Sequence, residues 1–421
     1  MLVSVMTDSV TVPATNPYRN SSNTFVTTFR ICIVVGTRPE AIKMAPVVAA
    51  VRAHNQLQPL VIATAQHREM LSQAFDVFGI VPDVDLGLMQ NGQNLGVFTA
   101  RAMQALTDAF IEHRPDFLLV QGDTSTVTAA SLAAFYQGIP IGHVEAGLRS
   151  FDLSSPFPEE VNRRIATCTA AIHFAPTHDA RNNLVAEGIP EDDIFVTGNT
   201  VVDALHMIPP RNEFTSPQLQ HVDWRRPVIL TTVHRRESQG ERLVDICDAL
   251  REIVAERDVQ VVFPVHLNPA VHNVVHARLA GNSNIHLVEP LSYSDLLEVM
   301  RRSTLVLSDS GGIQEEVPSF RKPILILREC TERPEVVDAG FGRLVGTSRE
   351  AISEWTMRLL DDEVFRARMT SGANPFGDGN AAKRIAAVVA ERLTRADGVL
   401  RPRRRDPHLL NARPELHVGS L

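Results

Sequence analysis

The chain has 421 residues, 44% hydrophobic and 21% charged, with 41 basic against 49 acidic side chains. That length exceeds one ordinary core, so two domains are expected, and a net charge of −8 speaks against a broad nucleic-acid surface. Four cysteines without CxxC spacing argue against a disulfide framework or a zinc site and fit a reducing, cytoplasmic compartment.

Residues 1–28 are rich in Ser, Thr, Asn and Val and lack both a basic start and a continuous apolar core. They read as a disordered extension, not a secretory signal. The run Ile31 to Val35 then reads as a buried parallel strand, apolar and β-branched, ended by Gly36. Pro39 falls where the first residue of a helix would sit, since its missing N–H costs nothing there. The turn from Gly36 to Lys43 is therefore expected to hold an anion: a helix start offers free N–H groups, and Arg38 and Lys43 add charge that suits phosphate.

Further strands are expected at Leu60 to Ala63, Phe117 to Val120, Ile139 to His143, Ala171 to Ala175 and Ile194 to Thr197. After a break at Pro209 to Pro217 come Pro227 to Thr232, Val259 to Pro264, Ile285 to Val288, Thr304 to Leu307 and Pro323 to Leu327. Helical stretches separate most of them, which is the rhythm of βαβ units and parallel sheets. An α/β chain with two doubly wound, Rossmann-like domains follows, ligands lying at the carboxyl ends of the strands. The first domain is expected over 29–200, completed by a C-terminal helix over 381–397. The second covers 201–380, and 398–421 is a disordered basic tail.

Chemistry-bearing residues cluster at strand ends. Ser310-Gly311-Gly312 follows Thr304 to Leu307, and small residues let backbone approach a phosphate. His234-Arg235 follows Pro227 to Thr232, and His266 follows Val259 to Pro264. Arg333-Pro334-Glu335 repeats the Arg-Pro-Glu of residues 38–40. Asp123, Glu145 and Glu159 stand at strand ends or loops, where carboxylates in a closed cleft serve proton transfer. Each has a plainer reading: Asp123 caps a helix, Glu145 pairs with Arg149, and Glu159 opens a helix after Pro158. There is no GxxxxGKS/T and no GxGxxG after the first strand, which weighs against a P-loop hydrolase and a dinucleotide oxidoreductase.

The chain resembles the non-hydrolysing UDP-N-acetylglucosamine 2-epimerase family from about Ile31 to about Leu393. Eleven motifs carry the likeness in order: GTRPEAIKMAP (36–46), TAQHREML (64–71), GDTST (122–126), GHVEAGLRS (142–150), PEEVNRR (158–164), TGNTVVDAL (197–205), HRRES (234–238), PVHLNP (264–269), DSGGIQEE (309–316), TERPE (331–335) and NPFGDG (374–379).

The resemblance implies a glycosyltransferase-B-like pair of domains with the site in the cleft between them. It implies C2 epimerisation of UDP-N-acetylglucosamine to UDP-N-acetylmannosamine with no cofactor and no metal. UDP would leave by anti elimination, a 2-acetamidoglucal would stay bound, and syn addition would return UDP. Arg38, Lys43, His234, Ser310, Gly311, Gly312, Glu316 and Arg333 would hold UDP or its developing charge. Asp123, Glu145 and Glu159 would move protons, and the C2 base is unassigned among them. Gln66, His67, Gln93, Arg235 and His266 match residues of a second, activating substrate site. A homodimer, without nucleic-acid or membrane partners, serving cell-envelope polysaccharide synthesis is also implied. A hydrolysing epimerase, a GT-B glycosyltransferase and a silent UDP-sugar sensor remain as alternatives.

Overall fold

The structure, a computed structural model, describes residues 28–64, 68–88 and 94–395. The two expected tails, together with Gln66, His67 and Gln93, lie outside the described residues.

The first sheet is built from β1 (Phe29–Val35), β2 (Leu57–Ala63), β3 (Val84–Asp85), β4 (Phe117–Gln121), β5 (Ile141–Val144), β6 (Ile172–Ala175) and β7 (Ile194–Val196). The second contains β8 (Val228–Thr232), β9 (Gln260–Pro264), β10 (Ile285–Val288), β11 (Leu305–Ser308), β12 (Ile324–Ile326) and β13 (Gly342–Leu344). Their orders are β3-β2-β1-β4-β5-β6-β7 and β10-β9-β8-β11-β12-β13, with parallel pairing throughout. All the expected strands are present, with ends shifted by up to three residues. The short edge strands β3 (Val84-Asp85) and β13 (Gly342-Arg343-Leu344) hold no apolar run and leave no pattern in the sequence.

The central strands are apolar on both faces because both faces are covered. Ile31, Ile33 and Val35 of β1 point into a core shared with the helix Arg38–Ala53. Cys32 and Val34 point the other way, into a core built with the helices Leu95–His113 and Ser125–Tyr136. The helix Ala381–Thr394 at the chain's end returns to the first sheet, burying Ile385, Ala386 and Val389 beside Ala41, Ala45 and Val48. Asp203 fastens its start by accepting the backbone N–H groups of Ala381 (3.2 Å) and Ala382 (2.9 Å). Removing two such caps with Asp203→Ala is expected to cost roughly 1–2 kcal/mol. A urea midpoint unchanged in that variant would contradict the role.

Strand order reverses direction between β1 and β4 in the first sheet and between β8 and β11 in the second. At such switch points the connecting loops diverge to opposite faces and leave a crevice at the carboxyl ends. The two crevices face each other, and this places the site. Among the described residues no helix is long and apolar enough to cross a membrane.

Candidate active site in the interdomain cleft

Both switch-point crevices open into one cavity of about 570 Å³. Arg38, Lys43, Asp123 and Glu145 line it from the first domain, and His234, Ser310, Gly312, Glu316 and Arg333 from the second.

The turn at Gly36 differs from its expected form. The helix begins at Arg38, one residue before Pro39. The two amides just before it are taken by the chain itself: Glu40 Oε2 accepts the N–H groups of Gly36 (2.8 Å) and Thr37 (2.7 Å) and the Thr37 hydroxyl, while Oε1 accepts from Thr124 (2.6 Å). The Glu40 carboxylate that fixes this turn is 2% exposed. Gly36 is required for closeness, because a Cβ there would collide with the hydroxyls of Thr126 and Thr64. Arg38 instead reaches across the cleft, its guanidinium carbon 5.5 Å from the centre of the Tyr293 ring.

Lys43 is likewise no free phosphate cation. Its ammonium lies 2.7 and 2.8 Å from the two oxygens of Glu145 and 2.7 Å from Oε2 of Glu315 in the second domain. Burial opposes its charge, but the two carboxylates outweigh burial and lift it to about 12. Glu145 also accepts from Gln121 Nε2. Glu145 has φ +64°, a left-handed conformation uncommon for a side chain of this kind, and it aims the carboxyl into the cavity. Burial and the neighbouring Glu315 charge hold that carboxyl above its ordinary range, against Lys43 and Arg333. The alternative pairing of Glu145 with Arg149 does not occur, because Arg149 binds Glu187 at 2.7 Å.

Asp123 does not cap the helix that follows it; Thr124 does, accepting from Val127 N–H. The Asp123 carboxylate is held by Arg163 at 2.8 Å and its carbonyl by Asn162. Glu159 opens the helix Glu159–Thr169 after Pro158. It does not line the cavity, and its Oε2 is buried without a hydrogen-bond partner. Its neighbour Glu160 is fully buried and serves structure, binding Arg163 at 3.1 Å, Arg164 and the Ser150 amide.

On the opposite wall, buried Asp309 accepts the amides of His234 and Arg235 and the Ser238 hydroxyl, and it lies 3.0 Å from His234 Nδ1. The ring's other nitrogen is thereby left to the cavity. The backbone at Gly311 runs close to Arg333, and a Cβ there would sit 3.2 Å from its guanidinium. Arg333 Nε binds Glu315 at 2.8 Å. The Tyr293 hydroxyl donates to Glu316 at 2.9 Å; burial pushes Glu316 up to about 7. The two Arg-Pro-Glu motifs part ways at their glutamates: Glu335 receives a 2.7 Å hydrogen bond from Thr177 in the first domain, whereas Glu40 caps its own helix. Arg235 is paired with Glu332 (3.5 Å) and His266 is exposed, and neither lines the cavity.

Comparison with known proteins gives this geometry a context. Residues 49–390 match the model of the UDP-N-acetylglucosamine 2-epimerase family. A UDP-N-acetylglucosamine 2-epimerase of Salmonella typhimurium is 49% identical over 365 residues, spanning 85% of this chain and 97% of its own. The chain belongs to this family. A crystal structure of a family member from Listeria monocytogenes superposes with TM-score 0.83 at 45% identity, covering 88% of this chain and 98% of that one. The Neisseria meningitidis enzyme, solved bound to UDP-GlcNAc, has TM-score 0.80 at 44% identity, covering 86% of this chain and all of its own.

Several residues that complete the epimerase-family cleft are not singled out by a single sequence. Tyr293 lies in a helical stretch that reads as ordinary amphipathic surface, Glu315 stands inside the DSGGIQEE motif, and each has one partner over 200 residues away. Asp309 and Arg163 were visible only as members of longer motifs. A signal for Glu315 did exist: two adjacent glutamates on a glycine-rich turn are costly to bury unless cations meet them.

Behind Asp123 two histidines sit in register, His143 on β5 and His173 on β6. His143 Nε2 lies 2.8 Å from the Gly122 carbonyl, steadying the loop that carries Asp123. Burial holds His143 at about 4 and His173 at about 3. Between these values and about 6.5 the unfolded chain binds protons that the folded chain refuses, so stability falls as pH drops. Each histidine adds about 1.4 kcal/mol per pH unit to that slope. The variant His173→Asn should show a shallower acid dependence of its urea midpoint than the wild type; identical slopes would contradict this.

Proposed function

We propose that the chain interconverts UDP-N-acetylglucosamine and UDP-N-acetylmannosamine without hydrolysis. The observation that carries this reading is the single cavity shared by both switch points, with cations from both domains and Glu145 directed into it. A carboxylate base removes the C2 proton as the C1–O bond breaks. The C2–H electron pair becomes the C1=C2 double bond of an enzyme-bound 2-acetamidoglucal, and UDP departs with the C1–O pair by anti elimination. Syn re-addition at C1 and protonation on the other face of C2 give the epimer.

Arg38, His234, Ser310, Gly311, Gly312 and Arg333 offset the charge that grows on the diphosphate. Glu316 accepts from ribose hydroxyls. Asp123 and Glu145 supply proton transfer and sugar orientation in the cavity, and Glu159, which does not line it, joins them by its family motif alone. Lys43 acts chiefly on Glu145, because its ammonium is already shared between two carboxylates. A second substrate molecule bound near Gln66, His67, Gln93, Arg235 and His266, a homodimeric state and a cytoplasmic location belong to the same proposal.

The test is proton NMR of UDP-N-acetylglucosamine with the protein in deuterated water. The expected result is both epimers at equilibrium, each carrying deuterium at C2, with no free sugar. Free N-acetylmannosamine accumulating in step with turnover would overturn the non-hydrolysing reading. Turnover only on adding an acceptor, or no exchange at C2, would overturn epimerisation itself.

A further inference from the structure

We propose that Glu315, outside the residues assigned above, is a positioning residue: a buried anion of the second domain that grips Lys43 and Arg333 and so governs how much positive charge reaches Glu145. This inference rests on the epimerase reading and deepens it.

The geometry is that of a closed ring of charge. Glu315 gives one oxygen to each cation, Oε2 to Lys43 at 2.7 Å and Oε1 to Arg333 at 2.8 Å. Lys43 passes on to Glu145 at 2.7 Å, and Arg333 returns to Glu145 at 4.0 Å. Two cations and two carboxylates thus balance in a space that the solvent hardly reaches; the Glu315 side chain is 1% exposed. The ring spans both domains, since Lys43 and Glu145 follow β1 and β5 of the first sheet while Glu315 and Arg333 follow β11 and β12 of the second. A buried carboxylate with so little water is costly unless it is fully paired. The helix Gly311–Glu316 gains nothing from it locally, as its partners are on other elements.

Two carboxylates share one ammonium, yet their surroundings drive them apart. Burial would raise Glu315, but Lys43 and Arg333 overcome burial and hold it at about 2. Glu145 is moved the opposite way, upward, by burial and by the Glu315 charge. Glu315 is therefore the permanent anion and Glu145 the member that exchanges protons. The other groups facing the ring leave this division intact. Gln121 donates to Glu145 and carries no charge, Glu332 lies 3.6 Å from Arg333, and Arg38, Tyr293 and Glu316 contact one another beside the ring, with Glu316 feeling the charges of Glu315 and Lys43. Without the Glu315 charge, Lys43 and Arg333 would bear unopposed on Glu145 and pin it as a carboxylate.

The experiment compares the wild type with Glu315→Gln, which keeps the shape and removes the charge, and with Glu315→Asp, which keeps the charge. The limb of the kcat–pH profile belonging to Glu145 is identified by its loss in Glu145→Gln. In Glu315→Gln that limb is expected to move to lower pH by roughly one unit or more, with kcat reduced ~10-fold or more and KM for UDP-N-acetylglucosamine changed far less. In Glu315→Asp the limb is expected to stay in place. A limb unmoved in Glu315→Gln overturns the proposal, whatever the loss of rate, because a merely structural residue would lower activity without shifting it. The same shift is readable without turnover by carbon-13 NMR titration of glutamate carboxyls, the Glu145 resonance being assigned from Glu145→Gln. A wild type that fails to epimerise would overturn the functional reading alone, and this titration would still decide the role of Glu315.

Discussion

Glu145→Gln is expected to lower kcat by ~100-fold or more, the usual loss when a general acid or base is removed. The variant keeps the side-chain volume and a hydrogen-bonding oxygen for Lys43, so the fold survives. Lys43 also retains Glu315 at 2.7 Å, which prevents a stranded buried charge. What is lost is the carboxylate charge and with it the capacity to take up a proton, and KM should change much less than kcat. Asp123→Asn should give a loss of the same order, although Arg163, 2.8 Å away, then loses an anionic partner. Initial rates by NMR, with C2 deuterium exchange followed in parallel, check both. Ordinary activity in the two variants would contradict the roles given to these carboxylates.

Lys43→Met is expected to be the most damaging single change. The methionine fills the space of the stem but removes the ammonium from between Glu145 and Glu315, leaving two buried carboxylates to share Arg333. Breaking a buried pair from one side costs about 3–5 kcal/mol, and removing a preorganised cation from a site costs ~100-fold or more in kcat. The stability loss should be smaller at pH 5 than at pH 8. At the lower pH Glu145, deprived of its ammonium, takes up a proton and escapes the penalty. Thermal unfolding followed at both pH values checks this, and equal melting of variant and wild type would contradict it. Lys43→Arg should not restore the rate, because a planar fork does not replace a point charge seated between two carboxylates.

The architecture was legible because its cause is local and repeated. Continuous apolar runs such as Ile31 to Val35 report a sheet covered on both faces, and that implies parallel strands joined by helices. The edge strands β3 and β13 escape such a reading because Val84-Asp85 and Gly342-Arg343-Leu344 hold no apolar run, unlike the equally short β7 and β12. The turn at Gly36 shows the limit more sharply. Strand, glycine, proline and helix were all readable, yet the amides of Gly36 and Thr37 just before the helix are taken by Glu40, since a carboxylate at the third helical position reaches back to the capping residue. Lys43 looked like a phosphate ligand because nothing in the sequence reveals that Glu315, 272 positions later, meets it.

By itself the sequence determined that the chain is α/β with two parallel sheets, that its polar motifs stand at strand ends, and that eleven of them follow the epimerase family's order. These follow from periodicity, turn chemistry and residue identity, which are properties of short stretches. Only the tertiary structure decided which cations are free and which are spent. Arg38 turns to Tyr293, Lys43 and Arg333 enter a ring with Glu145 and Glu315, and His234 is fixed by Asp309. The reason is physical: the charge state of a buried group is set by every charge within a few ångströms, and here those neighbours come from two domains.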